Sequence, residues 1–527
     1  MTRPAGLAPE MTEMVVQTLR QVAQRELPDS KVLELDEQDV FPHDLIRKLL
    51  SPDVGLHLVF LPEYAGGLGG GARDICRVSE EMAAVDLGVA TAFLAICLGT
   101  DPIMVGGTQA QREEWLPKIA AGLIVAYGVT EPEAGSNVAA LKTTADRITD
   151  PDGNVTGYRL NGAKQWITNG GVADLFTILA KTPEGPSFFI VERGAPGLSA
   201  GKKEEKHGIR ASNTASVILE DVEVPVANLV GGQEGEGLKQ ANAVFGYTRL
   251  MVGAFGLGCG QNAVDRALRY SKERIQFGAP LIEKEGFLLK LIVPHWLDLT
   301  AGRAYVEHVG LRIDQGEEGL QVEGSVAKLW CTEAGNRAAD AAVQALGGYG
   351  YSREYMVEKV RRDVRITSIY EGTSEIQQNI IGVFRWKKTV SSKGAFYEEM
   401  AADCDVAHAD DPRCGGAIIA AALRGLNDVI LDAHQSKTIR HQIAQFELAD
   451  AMCRCEVGAA LVRKAVRMAA DCPDRAEVCA AAARAFARQA MNAVLDAAHL
   501  VTGGFAEPGD AAATQHGREL AQRVAER

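Results

Sequence analysis

The sequence predicts a mainly α-helical protein with a central β domain, because the hydrophobic period changes twice along the chain. Apolar residues recur at helical spacing up to about residue 122, give way to short β-rich runs over residues 123–234, and return to helical spacing from residue 235. At 527 residues the chain is long enough for three or four domains. Its composition, 46% hydrophobic and 24% charged, is that of an ordinary globular protein.

Residues 1–122 are predicted to form an N-terminal helical domain. Apolar residues recur at helical spacing from Met14 to Val22, and Ser79–Leu98 is an apolar helix. Between them lies a glycine-rich stretch, residues 62–71. No strand pattern precedes it and no Lys-Ser/Thr pair follows it, so it is a packing turn rather than a phosphate-binding loop.

Residues 123–234 are predicted to form the middle β domain, with antiparallel strands. Asp150-Pro-Asp-Gly153 and Asn169-Gly-Gly171 are strong turn signals between the strands. Five short β-rich runs are predicted, at residues 125–130, 157–160, 175–180, 188–191 and 217–224.

The rest of the chain is predicted to hold a second helical domain (235–388), a polar, acidic linker (389–413) and an extra helical domain (414–527). The extra domain repeats part of the second helical domain at a shift of 156 residues. The most informative matches are Asn336 with Asn492, Asp340 with Asp496, and Gly347-Gly-Tyr349 with Gly503-Gly-Phe505.

Composition argues against several classes of protein and site. A formal net charge of −14 argues against binding to nucleic acid or to an anionic membrane. No apolar run is expected to reach transmembrane length, and residues 1–30 lack a signal-peptide core. A cytoplasmic location is expected, with the mitochondrial matrix as the alternative. The ten cysteines show no convincing metal spacing, and buried thiols are expected instead.

The stretch Arg365–Glu375 contains the candidate base, Glu371, between Tyr370 and Gly372. A carboxylate in a pocket can take a weakly acidic carbon-bound proton if burial raises its pKa. On this stretch alone, a solvated glutamate in an exposed turn is the better interpretation, and the motifs in the rest of the chain reverse that preference.

Four further motifs accompany this stretch in a fixed order. They are Tyr127-Gly-Val-Thr-Glu-Pro-Glu-Ala-Gly-Ser136, Lys164-Gln-Trp-Ile-Thr-Asn169, Arg274-Ile-Gln-Phe-Gly278 and Gln344-Ala-Leu-Gly-Gly-Tyr-Gly350. Together with Ile369–Gln377, and on a helical–β–helical layout, they closely resemble the acyl-CoA dehydrogenases. The resemblance runs from about residue 10 to 388, and the remaining helical extension is similar to that of the very-long-chain branch.

The resemblance implies that the β domain is an antiparallel barrel, that the second helical domain is a four-helix bundle, and that FAD binds between them. It assigns Arg274, Gln276 and Phe277 to the flavin of a neighbouring subunit. The implied cofactor-binding residues are Tyr127, Val129, Thr130, Ser136, Trp166, Ile167, Thr168, Arg274, Gln276, Phe277, Gln344, Gly347, Gly348, Thr373, Ser374 and Glu375. The implied substrate-binding residues are Ser136, Thr248, Arg249 and Gly372.

The resemblance also implies the reaction. Glu371 would abstract the α-proton of an acyl-CoA thioester and flavin N5 would accept the β-hydride, which gives a trans-2-enoyl-CoA. The reduced flavin would then pass its electrons to electron-transfer flavoprotein. Some relatives carry the base on an earlier helix, where this chain has Thr248, so Glu371 is the expected base. The apolar helix Val89–Leu98 is expected to border an uncharged acyl tail, although Asp101 follows it.

Two alternative functions remain open on the sequence: an acyl-CoA oxidase that uses oxygen, and a non-catalytic flavin-binding or nucleic-acid-binding relative. A homodimer is expected, because the extension could occupy a helical surface that relatives use to form tetramers. Several positions also depart from the family pattern: Asn137, Gly246, Glu285, Gln378 and Val383, the last with Arg385 displaced nearby.

Overall fold

A computed structural model describes residues 6–503 together with Glu519, Gln522, Arg523 and Glu526, and it confirms the helical–β–helical layout. Six helices come first: α1 (Pro9–Glu26), α2 (Asp29–Gln38), α3 (His43–Leu49), α4 (Ala72–Val85), α5 (Leu87–Gly106) and α6 (Gln109–Ala120). Helix α5 begins where Asp86 Oδ1 accepts a hydrogen bond from the Val89 amide at 2.7 Å. Helix α6 begins at a capping box formed by Thr108 and Gln111.

Helix α5 is the core helix of the N-terminal region. It is long and apolar enough to cross a membrane by length and composition, so the expectation that no apolar run reaches that length is wrong. However, 83% of its most apolar window is buried inside the protein, where it packs against α4 and the middle domain. Burial of an all-apolar helix in a large core explains this composition without a bilayer.

The middle domain is one sheet of seven strands. They are β1 (Val125–Gly128), β2 (Thr144–Thr149), β3 (Val155–Thr168), β4 (Leu175–Thr182), β5 (Gly185–Glu192), β6 (Leu198–Lys203) and β7 (Thr214–Pro225). Their order is β1-β4-β2-β3-β7-β6, and β5 pairs with β4.

Two features of this sheet differ from the sequence prediction. Strand β1 pairs in parallel with β4, in the register Val125 with Leu175, so the sheet is not wholly antiparallel. Strands β2 and β6 were not predicted, because their alternating polar and exposed residues lack a strong β pattern.

The second helical region contains six helices and a short hairpin. Its elements are α7 (Gly237–Glu273), the hairpin β8 (Ile275–Gln276) and β9 (Ala279–Pro280), α8 (Glu285–Leu291), α9 (Val293–Asp314), α10 (Gln321–Leu346), α11 (Met356–Val364) and α12 (Ser374–Ser391). Helix α10 packs against α7, α9 and α12, so it lies at the centre of this bundle.

Up to residue 503, the described part of the C-terminal extension contains α13 (Ala395–Asp410), α14 (Gly416–Gln435), α15 (Gln442–Asp471) and α16 (Pro473–Gly503). The prediction of a linker over residues 389–413 is therefore wrong, since α13 fills most of it. Tyr397, Ala401, Cys404 and Ala407 form a buried stripe at helical spacing. The many acidic residues of this segment lie around that stripe and hid its period.

The internal repeat is only partly matched in structure. Asn336 is buried in α10 and donates to the carbonyl oxygens of Thr332 and Val364, whereas Asn492 is exposed on α16. The last match, to Gly504 and Phe505, lies outside the described residues.

Eight of the ten cysteines are buried, Cys479 is half-buried and Cys472 is exposed, and none of the ten, all of which are among the described residues, forms a disulfide bond. Among the described residues, no group of His, Cys, Asp and Glu side chains is arranged to hold a metal ion.

Candidate active site

A cavity of about 650 Å³ lies where α5, the middle domain and the second helical bundle meet. It brings together residues from three of the predicted motifs, which are far apart in the sequence. The predicted residues that line it are Tyr127, Thr130, Ser136, Trp166, Ile167, Thr168, Glu371, Gly372 and Thr373. The interpretation of Glu371 as a solvated turn residue is therefore not supported.

Glu371 lies in the turn before α12, and its side chain faces this cavity. The Thr248 hydroxyl donates to Glu371 Oε2 at 3.2 Å. Burial raises the pKa of the Glu371 carboxyl above its ordinary value, and nearby Arg249 and Lys328 offset only part of that rise. A carboxylate of this kind is suited to accept a proton from a weak carbon acid.

The backbone of the turn is held by two buried side chains. Gln377 Nε2 donates to the carbonyl oxygens of Glu371 and Gly372, at 3.0 and 3.1 Å. Lys328 Nζ donates to the Gly372 carbonyl oxygen at 2.7 Å. Glu371 has a φ of 56° and Gly372 a φ of 90°, both in the left-handed region. These hydrogen bonds stabilise a backbone conformation that a glutamate rarely adopts.

Gly372 cannot be replaced by a larger residue without disturbing this support. A Cβ at Gly372 would lie 2.5 Å from Gln377 Nε2.

Burial also lowers the pKa of Lys328 to about 8. Thr373 caps the helix that follows, because its hydroxyl oxygen accepts a hydrogen bond from the Ile376 amide.

A buried ion pair joins the two motifs of the middle domain. Lys164 Nζ contacts Glu131 Oε1 at 2.6 Å and the Val129 carbonyl oxygen at 3.3 Å. Burial lowers the pKa of Lys164 to about 8. The Gln165 amide donates to the Thr130 carbonyl oxygen at 2.9 Å. The residues on either side, Val129–Thr130 and Trp166–Thr168, are therefore fixed relative to each other.

This side of the cavity fits a flat, partly polar ring such as a flavin. Trp166 is 60% exposed and has a φ of 60°, so its indole is presented to the cavity rather than packed in the core. The Thr214 hydroxyl lines the same cavity and is buried without a hydrogen-bond partner among the described residues. An exposed indole beside hydroxyls matches a heteroaromatic ring with polar edges.

A second, open groove of about 760 Å³ collects another group of predicted residues. Arg274, Gln276, Gln344, Gly347 and Gly348 line it, between the end of α7, the β8–β9 hairpin and the end of α10. Phe277 is 97% exposed beside this groove. The predicted flavin-binding residues therefore fall into two separate sites on one chain.

Several predicted residues lie behind the cavity wall or outside it. Val129, Thr248 and Arg249 are buried. Arg249 Nη1 donates to Ser325 Oγ at 3.1 Å. Ser374 Oγ donates to Glu333 Oε1 at 2.6 Å, and Glu375 is exposed. These residues are not among those that line the cavity, in contrast to their predicted neighbours Gly372 and Thr373.

One wall of the cavity was not predicted from the sequence. Residues 204–209, between β6 and β7, line it together with Arg362 and Arg365. Arg362 is held by Asp36 Oδ2 at 2.6 Å and Glu358 Oε1 at 2.7 Å. The run Lys202-Lys203-Glu204-Glu205-Lys206 was the available signal, an unusual density of charge within a β domain.

One wall of the cavity comes from α5, which contains the segment predicted to border the acyl tail. Thr91, Leu94, Ala95 and Leu98 line the cavity from one face of α5, and Phe255 on α7 lies opposite among the lining residues. Asp101 is buried on the same helix, near Tyr127. Burial, Glu371 and Asp101 together raise the pKa of the Tyr127 hydroxyl well above its ordinary value.

The positions that depart from the family pattern have different surroundings. Asn137 and Glu285 are exposed, and Gly246 lies on α7 beside Gln321. Gln378 and Arg385, by contrast, contact the C-terminal extension. Gln378 Nε2 donates to Asp450 Oδ1 at 3.0 Å, and Arg385 Nε donates to Glu456 Oε1 at 2.7 Å.

Comparison with protein-family models gives three matches in chain order. The acyl-CoA dehydrogenase N-terminal domain matches residues 9–123, the middle domain residues 126–222, and the C-terminal domain residues 235–384.

Individual proteins are similar over the same region. An acyl-CoA dehydrogenase of Bacillus subtilis (strain 168) is 36% identical over 381 residues, which cover 70% of this chain and 97% of that protein. The butyryl-CoA dehydrogenase structure from Megasphaera elsdenii has a TM-score of 0.67 and 34% identity, and the match covers 71% of this chain and 98% of that one.

One solved structure matches the extension as well. It is an acyl-CoA dehydrogenase from Bacillus anthracis in complex with FAD, with a TM-score of 0.85 and 25% identity. The match covers 99% of this chain and 94% of that one. The four C-terminal helices therefore have a counterpart in that protein.

Proposed function

The chain belongs to the acyl-CoA dehydrogenase family, and from that premise we propose that it converts an acyl-CoA thioester to a trans-2-enoyl-CoA with Glu371 as the base. It is a flavin-dependent oxidoreductase that acts on acyl-CoA, and its cofactor is FAD. The observation that carries the proposal is the Glu371 carboxyl, which faces the cavity with a pKa raised by burial.

The residues around Glu371 support proton abstraction. Thr248 donates one hydrogen bond to the carboxylate, while Gln377 and Lys328 fix the backbone that carries it. When FAD is bound, it supplies the two-electron acceptor for the β-hydrogen. Tyr127, Trp166 and Thr168 would hold its ring from the middle domain. The α5 face would take the acyl tail, and its apolar character favours an uncharged chain.

Fatty acid β-oxidation is the proposed setting, with electron-transfer flavoprotein as the acceptor and no nucleic acid or integral membrane segment involved. The family resemblance supports the acceptor, and the net charge of −14 argues against nucleic acid. Helix α5 is buried, which supports the absence of a membrane-spanning segment. The cytoplasm is the proposed location, since ten cysteines without a disulfide bond fit a reducing compartment.

A second copy of the chain would complete the nucleotide site. Arg274, Gln276 and Phe277 are exposed beside the open groove, away from the residues that line the Glu371 cavity. A guanidinium is well suited to a diphosphate. We therefore expect Arg274→Ala to lower FAD content and to weaken the oligomer together. Loss of FAD from an unaltered oligomer would place Arg274 in a different role.

The oligomer proposed is a homodimer. Helix α15 packs against α9 and α12 within the same chain, and so covers a face that another subunit could otherwise occupy. Light scattering of the full-length protein should give a dimer that is stable on dilution. A stable tetramer would contradict this proposal.

Anaerobic titration with acyl-CoAs tests the proposed reaction. The FAD-loaded protein should lose its yellow colour with at least one member of a panel of straight and branched acyl-CoAs. Turnover should then depend on added electron-transfer flavoprotein. Rapid peroxide formation in air would instead identify an oxidase, and a failure of every acyl-CoA to bleach the flavin would overturn the proposal.

A further inference from the structure

The C-terminal extension contacts both helices that support the Glu371–Gly372 turn. Gln377 lies on α12 and Lys328 on α10, and their side chains hold the backbone carbonyls of the turn. Resting on the function proposed above, we propose that the extension positions this turn, with Glu456 as a positioning residue that acts through α12.

Helix α12 is fixed to α15 of the extension along one face. Gln378, the residue after Gln377, donates to Asp450 at 3.0 Å. One turn further on, Gly382 lies so close to α15 that a Cβ there would be 2.9 Å from the Gln445 carbonyl oxygen. Arg385, about 12 Å along the helix from Gln377, then pairs with Glu456. The three contacts fix the position of α12 along its axis and its rotation.

Glu456 is the centre of the strongest of these contacts. It is only 2% exposed, and Arg385 donates to both of its oxygens, at 2.7 and 2.9 Å. The hydroxyls of Tyr305 and Tyr397 donate to the same carboxylate, at 3.1 and 3.2 Å. Arg385 also contacts Glu323 at 3.1 Å. This network joins α9, α10, α12 and α13 to α15, and a bidentate pair defines its geometry narrowly.

Helix α10 contacts the extension at Trp330. In the sequence, Trp330 lies between Lys328 and Glu333, the two α10 residues that hold the turn and the start of α12. Lys328 bonds to the Gly372 carbonyl, and Glu333 accepts from Ser374 at the start of α12. The Trp330 ring packs edge-on against Phe486 of α16, with centroids 5.3 Å apart. The Arg454 guanidinium of α15 lies 5.1 Å from the centroid of the same ring.

The extension therefore packs against α10 and α12 on the side away from the cavity, while the Glu371–Gly372 turn lies on the side that faces the cavity. A loss of the Glu456 charge would leave Arg385 buried with Glu323 as its remaining carboxylate partner. Relaxation of α12 would move Gln377 and loosen the turn. A displacement of about 1 Å at a catalytic group can lower turnover by up to about 100-fold.

The test compares Glu456→Gln with Arg424→Gln in the FAD-loaded, full-length protein. Arg424 pairs with Glu398 and Asp405 inside the extension, away from α12, so its variant is a control for general loss of an ion pair. Hydrogen exchange of the backbone amides at residues 369–377 is measured first, below the unfolding temperature of each variant. Glu456→Gln should increase exchange there by about tenfold or more, whereas Arg424→Gln should not.

The second measurement separates positioning from a general structural role. In Glu456→Gln we expect kcat for an accepted acyl-CoA to fall at least about tenfold while KM stays within about twofold, because the turn and not the binding surface is disturbed. If that variant does not fold, Gln378→Ala provides a milder change with the same expected direction. The inference would be overturned if Glu456→Gln, or Gln378→Ala where it takes its place, showed the same hydrogen exchange and the same kcat as the Arg424→Gln control.

The two proposals fail in different ways. If no acyl-CoA bleaches the flavin of the unaltered protein, the proposed reaction is wrong, and the exchange measurement still decides whether Glu456 fixes the turn. If the unaltered protein is active and the exchange at residues 369–377 is unchanged in the variant, the reaction stands and the positioning role of the extension does not.

Discussion

Glu371 is half-buried beside the cavity and Glu456 is fully buried in the helical bundle, and the surroundings of these two glutamates differ in a way that distinguishes a candidate base from a structural residue. Glu456 receives four hydrogen bonds, two from Arg385 and one each from Tyr305 and Tyr397. Glu371 receives one from the described residues, from Thr248 at 3.2 Å, although Arg249 and Lys328 lie near it. A fully partnered carboxylate fixes structure, while a poorly partnered one keeps its affinity for a proton.

The largest expected effect is on the activity of the poorly partnered residue. Glu371→Gln keeps the size of the side chain and an oxygen that can accept from Thr248, but it cannot take the α-proton. Turnover should fall by at least about 10²-fold with FAD retained. Steady-state assays on the FAD-loaded variant measure this, with Glu220→Gln on the exposed surface of β7 as the control. Near-normal turnover would show that another group is the base.

The next effect is on stability, and it concerns the fully partnered residue. Removing one member of a buried ion pair leaves the other charged and desolvated, which costs about 3 kcal/mol or more. Glu456→Ala should therefore lower the thermal unfolding midpoint more than the same change at the half-exposed Glu398. Equal shifts in the two variants would mean that the Glu456 network contributes no more than a surface pair does.

A third prediction is that substitution of Glu371 changes stability in the opposite direction to substitution of Glu456. Its pKa is higher in the folded protein than the ordinary value of 4.5, so the folded state binds the proton more tightly than the unfolded chain does. Its ionised form therefore lowers stability above the folded-state pKa, and that penalty disappears as the pH falls below about 4.5. Glu371→Gln should stabilise the protein by roughly 1 kcal/mol at neutral pH and by much less in acid.

Thermal unfolding at several pH values measures this difference. The same series with Glu456→Gln should show destabilisation at neutral pH. If both variants are destabilised there, the carboxyl of Glu371 is better compensated than its contacts indicate.

The smallest expected effect is on the pH dependence of turnover. Turnover should rise with pH as Glu371 loses its proton, because only the carboxylate can act as the base. The Thr248 hydrogen bond lowers the pKa of Glu371, as do Arg249 and Lys328. Thr248→Val should therefore move the acidic limb of the pH–rate profile to higher pH. An unchanged limb would mean that the limb reports another group, such as Lys328, whose pKa is about 8.

The sequence predicted the layout of the fold well because hydrophobic period is a local property. The changes near residues 122 and 235 coincide with the ends of α6 and β7 to within about a dozen residues. The parallel pairing of β1 with β4 was not predictable, since it joins segments about fifty residues apart and depends on the whole sheet. Helix α13 was missed because its charged residues outnumber the buried positions that define it.

The distinction between local sequence signals and contacts between distant segments also applies to the candidate active site. Glu371 and Trp166 lie within short motifs, so the sequence could point to them directly. Gln377, which holds the Glu371–Gly372 turn, lies inside the predicted motif Ile369–Gln377. Lys328, which holds the same turn, acts across the bundle from α10 and has no local signature that distinguishes it from an ordinary helix residue. Arg362 lines the cavity while its side chain is held by Asp36, which is distant in the sequence, and by Glu358.

The separation of the Glu371 cavity from the Arg274 groove has a genetic consequence. In the proposed dimer, each active site would take its base from one chain and part of its nucleotide contacts from the other. Expressed alone, a chain that carries Arg274→Ala would form a weakened dimer that is low in FAD, and a chain that carries Glu371→Gln would form an inactive dimer. When the two are expressed together, one site of every mixed dimer would contain neither substitution. Two inactivating alleles of this protein would then complement each other.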